Sequence, residues 1–202
     1  MNTAGLVLAG GKSGRIKGHK FQKHLGGVPL LDHATQRFSA QVECLAVNLP
    51  RGREQHKCTT LYEPENEGDG VGPLAGVLVG LNWAKSIGAK ALVTVPVDVP
   101  FFPLDMVHRL SRSAVGNGPA CAVQNGRRHG LCAFWPVKCL PAFAEAFIDH
   151  KVRPVNRMLD LLGVAEVNFE SESPPSFFNI NTADDLVKAE QILKESTKHE
   201  CI

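Results

Sequence analysis

Short apolar runs alternate with helix-like segments through the first 113 residues of the chain. The strand candidates are 6–9, 44–48, 59–62 and 90–95. The helix candidates, two of which begin at a proline, are 30–38, 73–84 and 103–112. This alternation is typical of an α/β fold with a mostly parallel sheet and helices on both faces. Ligands of such open sheets bind beyond the carboxyl ends of the strands, so residues just after those ends are the first candidates for a site.

The pattern changes after residue 117. Two apolar runs, 120–123 and 131–135, predict a hairpin whose tip carries Arg127, Arg128 and His129. Further helices are predicted at 141–148, 155–162 and 182–194, with a strand at 164–169. Thr182 is the expected N-cap of the last helix. Without a repeat or linker, the 202 residues predict one domain with two halves, 1–113 and 114–202.

Charge is distributed unevenly along the chain. A net charge of only +2 excludes a general polyanion binder, so we expect no nucleic-acid partner. No carboxylate precedes Asp32, whereas the same stretch carries five lysines and arginines. This uncompensated positive charge favours a compact anionic ligand, and a solvated basic loop is the alternative.

Six cysteines without C-x-x-C spacing are typical of thiols in a reducing cytoplasm. The apolar runs are too short for a membrane span, and the N-terminus lacks the basic start of a secretory signal. We therefore expect a cytoplasmic protein that does not associate with membranes.

A glycine-rich segment follows the first strand candidate. It fits neither a Walker A loop, because Leu6 stands where that motif needs glycine, nor a G-x-G-x-x-G motif. What remains is a strand, the pair Gly10-Gly11, and then Arg15 and Lys20. Glycines allow backbone N–H groups to approach phosphate, which arginine and lysine then neutralise. A glycine-rich turn without a ligand is the alternative.

Three further motifs contain residues suited to a site. Asp98 follows the strand at 90–95 between two prolines, where a carboxylate can bind Mg²⁺ or simply cap a turn. The loop 67–76 is glycine-rich and leads into a helix. Asn179 and Asn181 occupy alternate positions of an extended segment, which suits either a ligand contact or a turn.

Taken in order, LAGG-K-x-x-R, GPLAG, P-x-D-x-P and N-I-N-T resemble the nucleotidyltransferases of the sugar-nucleotide pyrophosphorylase type. The resemblance is greatest to the molybdenum cofactor guanylyltransferase family and extends from residue 6 to about residue 186. It implies a Rossmann-like three-layer nucleotidyltransferase fold. It also implies transfer of GMP from GTP to molybdopterin or molybdenum cofactor, with magnesium as the metal.

The resemblance also implies roles for individual residues. The GTP-binding residues would be Leu8, Ala9, Gly10, Gly11, Lys20, Asn48, Gly76 and Asp98. The catalytic residues would be Arg15, Lys20 and Asp98, with the magnesium on Asp98. The acceptor would be bound by Asn179 and Asn181 and by candidates from a second cationic cluster, Arg127, Arg128, Lys151, Arg153 and Arg157.

Alternatives remain within and outside this family. LAGG rather than LAAG favours guanine, but a cytidylyltransferase or an enzyme for another phosphorylated acceptor is similar in its motifs. A non-catalytic GTP-binding module is the third reading, because His19 stands where the family has aspartate. An acidic residue expected before GPLAG falls among residues 63–65, and Gly130 replaces a proline. Transient contacts with cofactor-biosynthesis or acceptor proteins are also expected.

Overall fold

The computed structural model describes residues 2–10, 23–51, 56–63, 72–169 and 176–199. The described strands are β1 (Thr3–Leu8), β2 (His24–Leu25), β3 (Val28–Pro29), β4 (Cys44–Asn48), β5 (Thr59–Leu61), β6 (Ala91–Pro96), β7 (Ala120–Gln124), β8 (Arg127–Pro136) and β9 (Ala165–Asn168). The described helices are α1 (Leu30–Ser39), α2 (Pro73–Ser86), α3 (Met106–Ser113), α4 (Leu140–Ile148), α5 (Val155–Leu161) and α6 (Ala183–His199).

Among the described strands, seven form one sheet in the order β5-β4-β1-β6-β8-β7-β9. β8 runs antiparallel to both of its neighbours, whereas every other adjacent pair in this order is parallel. The mostly parallel sheet is therefore confirmed. β2 and β3 form a separate small hairpin that the sequence patterns did not predict.

Helices cover both faces of the sheet, which confirms the three-layer arrangement. Alternate residues of a strand point to opposite faces, and β1 shows this directly. Val7 packs into one core cluster with residues of α1, α3 and α6. Leu6 and Leu8 pack into the other cluster, with residues of α2, α4 and α5. A strand buried on both faces needs an almost continuous apolar run, as β1 has.

The predicted hairpin forms, but its tip was placed wrongly. Asn125 and Gly126 make the turn, with φ of 51° and 71°, and β8 begins directly after them. Asn-Gly favours this two-residue turn because both residues tolerate positive φ. Arg127, Arg128 and His129 therefore lie on β8 rather than in the tip.

The ends of two helices bear on the predictions from sequence. α3 begins at Met106, later than the predicted start at residue 103, because residues 103–105 form a turn instead. At α6 the predicted cap is confirmed, since the Asp185 N–H donates to the Thr182 hydroxyl at 3.1 Å. The Asp185 carboxylate accepts the Thr182 N–H in return at 2.9 Å, which completes a reciprocal cap.

Within the ranges given above, no helix has both the length and the apolar character needed to cross a membrane. The five described cysteines, Cys44, Cys58, Cys121, Cys132 and Cys139, are free thiols. Burial raises the pKa of Cys121 to about 11 and that of Cys139 to about 12. These two thiols therefore stay protonated near neutral pH and pack as small apolar groups.

Candidate functional site

Three neighbouring parallel strands, β4, β1 and β6, end at one edge of the sheet. Backbone hydrogen bonds continue past these ends. The Ala9 N–H donates to the Asn48 carbonyl at 3.0 Å, and the Val97 N–H donates to the Leu8 carbonyl at 3.0 Å. The chain therefore leaves β1 and β6 side by side, which places Gly10 close to the position where Asp98 follows β6.

The Asn48 side chain is the centre of the described site and is only 1% exposed. Its Nδ2 donates to the Leu61 carbonyl at 3.4 Å, so its Oδ1 faces the other way. A Cβ on Gly10 would lie 2.7 Å from this Oδ1, and one on Gly76 would lie 2.8 Å from it. Only glycine at both positions leaves room for the carboxamide. Three residues assigned to GTP by the resemblance thus lie together.

Glu63 is a residue whose position the sequence patterns left open. Its Oε1 would lie 3.0 Å from a Cβ on Gly10, beside the Asn48 carboxamide. The Arg51 side chain fixes the main chain at Glu63, because its Nε donates to the Glu63 carbonyl at 3.0 Å. Glu63 follows β5 closely at the same sheet edge, and this was the signal that could have singled it out among residues 63–65. Two acceptor oxygens, one from the end of β4 and one from the segment after β5, thus lie beside Gly10.

Asp98 joins the two halves of the chain at this edge. Asp98 is 9% exposed, and its main-chain carbonyl accepts the Ile180 N–H at 2.8 Å. Because Ile180 lies between the predicted Asn179 and Asn181, this bond brings both of them close to Asp98 in space. Burial raises the pKa of Cys132 on β8, and the charge of Asp98 raises it further, so the carboxylate also lies near β8.

Asp98 is suited to hold Mg²⁺ together with a bound nucleotide. In the described part of the chain, no three His, Cys, Asp or Glu side chains form a metal-binding group. Mg²⁺ does not require such a group, because it usually binds through one or two carboxylates plus substrate phosphates. A single buried carboxylate at this edge of the sheet fits that pattern.

Two of the predicted acceptor-binding arginines have structural partners. Arg128 donates to Asp160 at 2.6 Å and to Glu166 at 2.5 Å, which ties β8 to α5 and β9. These bonds raise the pKa of the Arg128 guanidinium further above its ordinary value. Arg153 donates to the Phe147 carbonyl at 2.6 Å and stacks over the Phe147 ring at 4.1 Å. Both guanidinium groups therefore have a structural role.

The other predicted residues have different surroundings. Arg127, Lys151 and Arg157 are exposed, and none of their side chains makes a hydrogen bond or ion pair with the residues that the structure describes. Asn179 has a buried Oδ1 without a hydrogen-bond partner, and the Asn181 N–H donates to Asp185 at 3.0 Å. Gly11, Arg15 and Lys20 lie outside the described residues.

Comparisons with known proteins agree with this geometry. Residues 5–163 match the family model of the MobA-like NTP transferase domain. A molybdenum cofactor guanylyltransferase from Mesorhizobium japonicum is 39% identical over 202 residues, covering 96% of this chain and 97% of its own. The corresponding protein from Rhodobacter capsulatus is 36% identical, covering 97% and 99%.

A solved structure shares the fold. It is the crystal structure of molybdopterin-guanine dinucleotide biosynthesis protein A from Archaeoglobus fulgidus, with a TM-score of 0.74 and 21% sequence identity. The match covers 95% of this chain and 99% of that one. At this identity the likeness supports the nucleotidyltransferase fold, and the function has to be argued from the site and the closer relatives.

Proposed function

This chain belongs to the MobA-like NTP transferase family, and we propose that it transfers GMP from GTP to molybdopterin or molybdenum cofactor. The products are the guanine dinucleotide cofactor and pyrophosphate. The observation that carries the proposal is the Asn48 carboxamide, enclosed by Gly10 and Gly76 at the sheet edge where Asp98 follows β6. Relatives named for this activity match nearly the whole chain, which supports the same activity here.

The acceptor oxygens beside Gly10 favour guanine as the base. The edge of guanine carries two neighbouring donors, the ring N–H and the amino group, whereas cytosine and adenine each offer one amino group beside ring acceptors. Asn48 Oδ1 and Glu63 Oε1 both lie within 3.0 Å of the position that a Cβ on Gly10 would take, and we propose that they receive this pair of donors. A site with two acceptors disfavours a base that leaves one of them unpaired. We therefore assign the base to this corner and GTP as the nucleotide.

The reaction needs no protein nucleophile, because the acceptor supplies one. The terminal phosphate of molybdopterin attacks the α-phosphorus of GTP in line, and the bond to pyrophosphate breaks. The protein positions the two phosphates and neutralises their charge. Asp98 would hold magnesium, which neutralises phosphate charge when bound. Arg15 and Lys20 are proposed to stabilise the charge of the departing pyrophosphate.

The acceptor is proposed to bind across the second half of the chain, residues 114–202. Asn179 and Asn181 flank the residue that bonds to Asp98, which supports their proposed assignment to the acceptor. Among the cations, Arg127 and Arg157 are exposed and have no described partner, which makes them better candidates than Arg128 or Arg153. The free thiols suit a reducing cytoplasm as the place of the reaction, where cofactor-biosynthesis or acceptor proteins would make transient contacts.

The test is pyrophosphate release from GTP, magnesium and molybdopterin, with CTP and ATP run in parallel. We expect release with GTP to exceed release with the other two by at least about tenfold. Equal release with CTP would support a cytidylyltransferase instead. Tight GTP binding by calorimetry without any pyrophosphate release would support the non-catalytic module.

A further inference from the structure

Gln124, the last residue of β7, has a buried amide nitrogen without a partner. The residue is 6% exposed, and its Nε2 makes no hydrogen bond with the residues that the structure describes. Other buried polar groups of the sheet are paired, such as the Trp135 indole N–H, which donates to the Thr94 hydroxyl at 3.0 Å. Because an unpaired buried donor is costly, it indicates a hydrogen-bond partner other than the residues described above.

The hairpin register shows which side chains surround Gln124. Residues directly opposite each other in an antiparallel pair point to the same face. Gln124 is opposite Arg127, and Ala122 is opposite His129, so all four share one face of the sheet. On the β9 side of β7, Val123 pairs with Asn168, the residue before Phe169. The Phe169 N–H donates to the Val123 carbonyl at 2.7 Å. Gln124 therefore lies between β8 and an aromatic ring.

Aromatic rings form a wall beside this amide. The His129 ring stacks on Phe177 with 4.8 Å between ring centroids and 24° between the ring planes. Phe177 in turn meets Phe169 edge to face at 5.3 Å. Burial and the nearby Arg127 charge lower the pKa of His129, so its imidazole is neutral at neutral pH and packs as an aromatic ring. Phe169 and Phe177 are themselves only 1% and 3% exposed, so within this wall the half-buried His129 ring is the one that could present a face to a flat heterocycle.

The wall is connected to the proposed reaction centre. Asn179, two residues after Phe177, has a buried Oδ1 without a partner. The next residue, Ile180, donates to the Asp98 carbonyl at 2.8 Å. β7 lies two strands from β6, which corresponds to about 10 Å across the sheet. An unpaired donor at the end of β7 and an unpaired acceptor two residues after Phe177 thus belong to the segments that carry the aromatic rings, and the acceptor is next to the residue that bonds to Asp98.

We propose that Gln124 is a specificity-determining residue for the acceptor and that its Nε2 donates a hydrogen bond to the acceptor's heterocycle. This inference rests on the proposed function and adds a residue to it. With the phosphate of molybdopterin held near Asp98, its pterin ring extends toward His129 and Phe177. The pterin edge offers a carbonyl oxygen to Gln124, and its amino group is a donor for Asn179. GTP, bound at Asn48, makes no contact with Gln124.

The test uses Gln124→Met and Gln124→Glu in the full chain. Met preserves the length of the side chain without any hydrogen-bonding group, and Glu preserves its shape but replaces the Nε2 donor with an acceptor. We measure the Kd for molybdopterin without GTP, and KM for molybdopterin and for GTP in pyrophosphate release. We expect both variants to weaken molybdopterin binding and raise its KM about tenfold, as for one lost hydrogen bond. The KM for GTP should stay within about twofold.

Gln41→Met is the matched control. The Gln41 amide is satisfied within the protein, since it donates to the Pro103 carbonyl at 3.1 Å and accepts the Val107 N–H at 3.1 Å. This variant should lower the Tm and leave both constants unchanged. Gln124 variants that bind molybdopterin as tightly as the wild type would overturn the inference alone. A wild type that binds molybdopterin but releases no pyrophosphate would contradict the proposed function alone, and one that does not bind it would contradict both.

Discussion

A few side chains at strand ends acquire their function from burial and close contact. Asn48 is a turn-forming residue type, but here its donor is used by the Leu61 carbonyl and its acceptor oxygen is fixed toward two glycines. Aspartate is likewise a common turn residue, but Asp98 follows a central strand and is only 9% exposed, so its charge lies at the sheet edge with little water around it. Charge held in such a position acts strongly on a phosphate, because little water screens it.

Replacing Asp98 by asparagine tests its charge at nearly constant shape. If the carboxylate holds magnesium against the charge of the transition state, Asp98→Asn should lower kcat/KM at least about a hundredfold. Asp105→Asn is the control, because Asp105 is an exposed carboxylate before α3 whose ion pair with Arg109 is 3.7 Å long. It should change turnover less than about twofold. Near-normal turnover of Asp98→Asn with unchanged Tm would remove Asp98 from the mechanism.

Helix α2 packs against the sheet through two glycines one turn apart. A Cβ on Gly76 would meet Asn48 Oδ1 at 2.8 Å and Leu8 Cδ2 at 2.9 Å. A Cβ on Gly80 would meet Leu6 Cδ2 at 2.5 Å and Leu92 Cδ2 at 2.9 Å. Either Cβ would overfill the core between helix and sheet. Only the one on Gly76 would displace Asn48, which belongs to the proposed nucleotide site.

The paired variants Gly76→Ala and Gly80→Ala separate packing from binding. Overpacking should destabilise each by about 1–3 kcal/mol, reduced by about 1 kcal/mol for the better helix propensity of alanine. Gly76→Ala should also raise the KM for GTP about tenfold or more, because the Asn48 carboxamide has to move. Unfolding by urea and steady-state kinetics provide the two readouts. Equal effects of both variants on the KM would contradict the role of Asn48.

At this scale the sequence predicts elements better than their ends. β4 has the predicted bounds because its apolar run and its burial coincide, whereas α3 starts late because residues 103–105 favour a turn. The tip of the β7–β8 hairpin was missed although Asn125-Gly126 is a strong turn signal. The two-residue strands β2 and β3 are too short for any periodicity to show.

Candidate site residues could be singled out where a motif follows a strand end, as at Gly10 and Asp98, whereas Asn48 was assigned only by the family resemblance. Two features depend on contacts between distant parts of the chain and left no local signal. The sequence makes Arg128 a candidate ligand-binding cation, but in the structure it bonds to Asp160 and Glu166, which lie 32 and 38 residues away. The unpaired amide of Gln124 is invisible in sequence, because burial and partners are properties of the folded chain.

At the scale of the whole molecule, both halves of the chain contribute strands to the seven-stranded sheet. β6 from the first half pairs with β8 from the second, and the bond between Ile180 and Asp98 joins the halves again at the carboxyl edge. A nucleotide bound at Asn48 and an acceptor bound beyond β8 would therefore meet near Asp98. We propose that cations of the first half serve the triphosphate and cations of the second half serve the acceptor.

Single substitutions in each half test this division. Lys20→Ala should raise the KM for GTP, because it removes a charge from the glycine-rich segment. Arg157→Ala should raise the KM for molybdopterin about tenfold and leave that for GTP unchanged, as expected when one phosphate contact is lost. Arg112→Ala, an exposed arginine at the end of α3, is the control and should change neither constant. If Lys20→Ala and Arg157→Ala impair the use of the same substrate, the two ligands share one cationic pocket and the division between the halves is wrong.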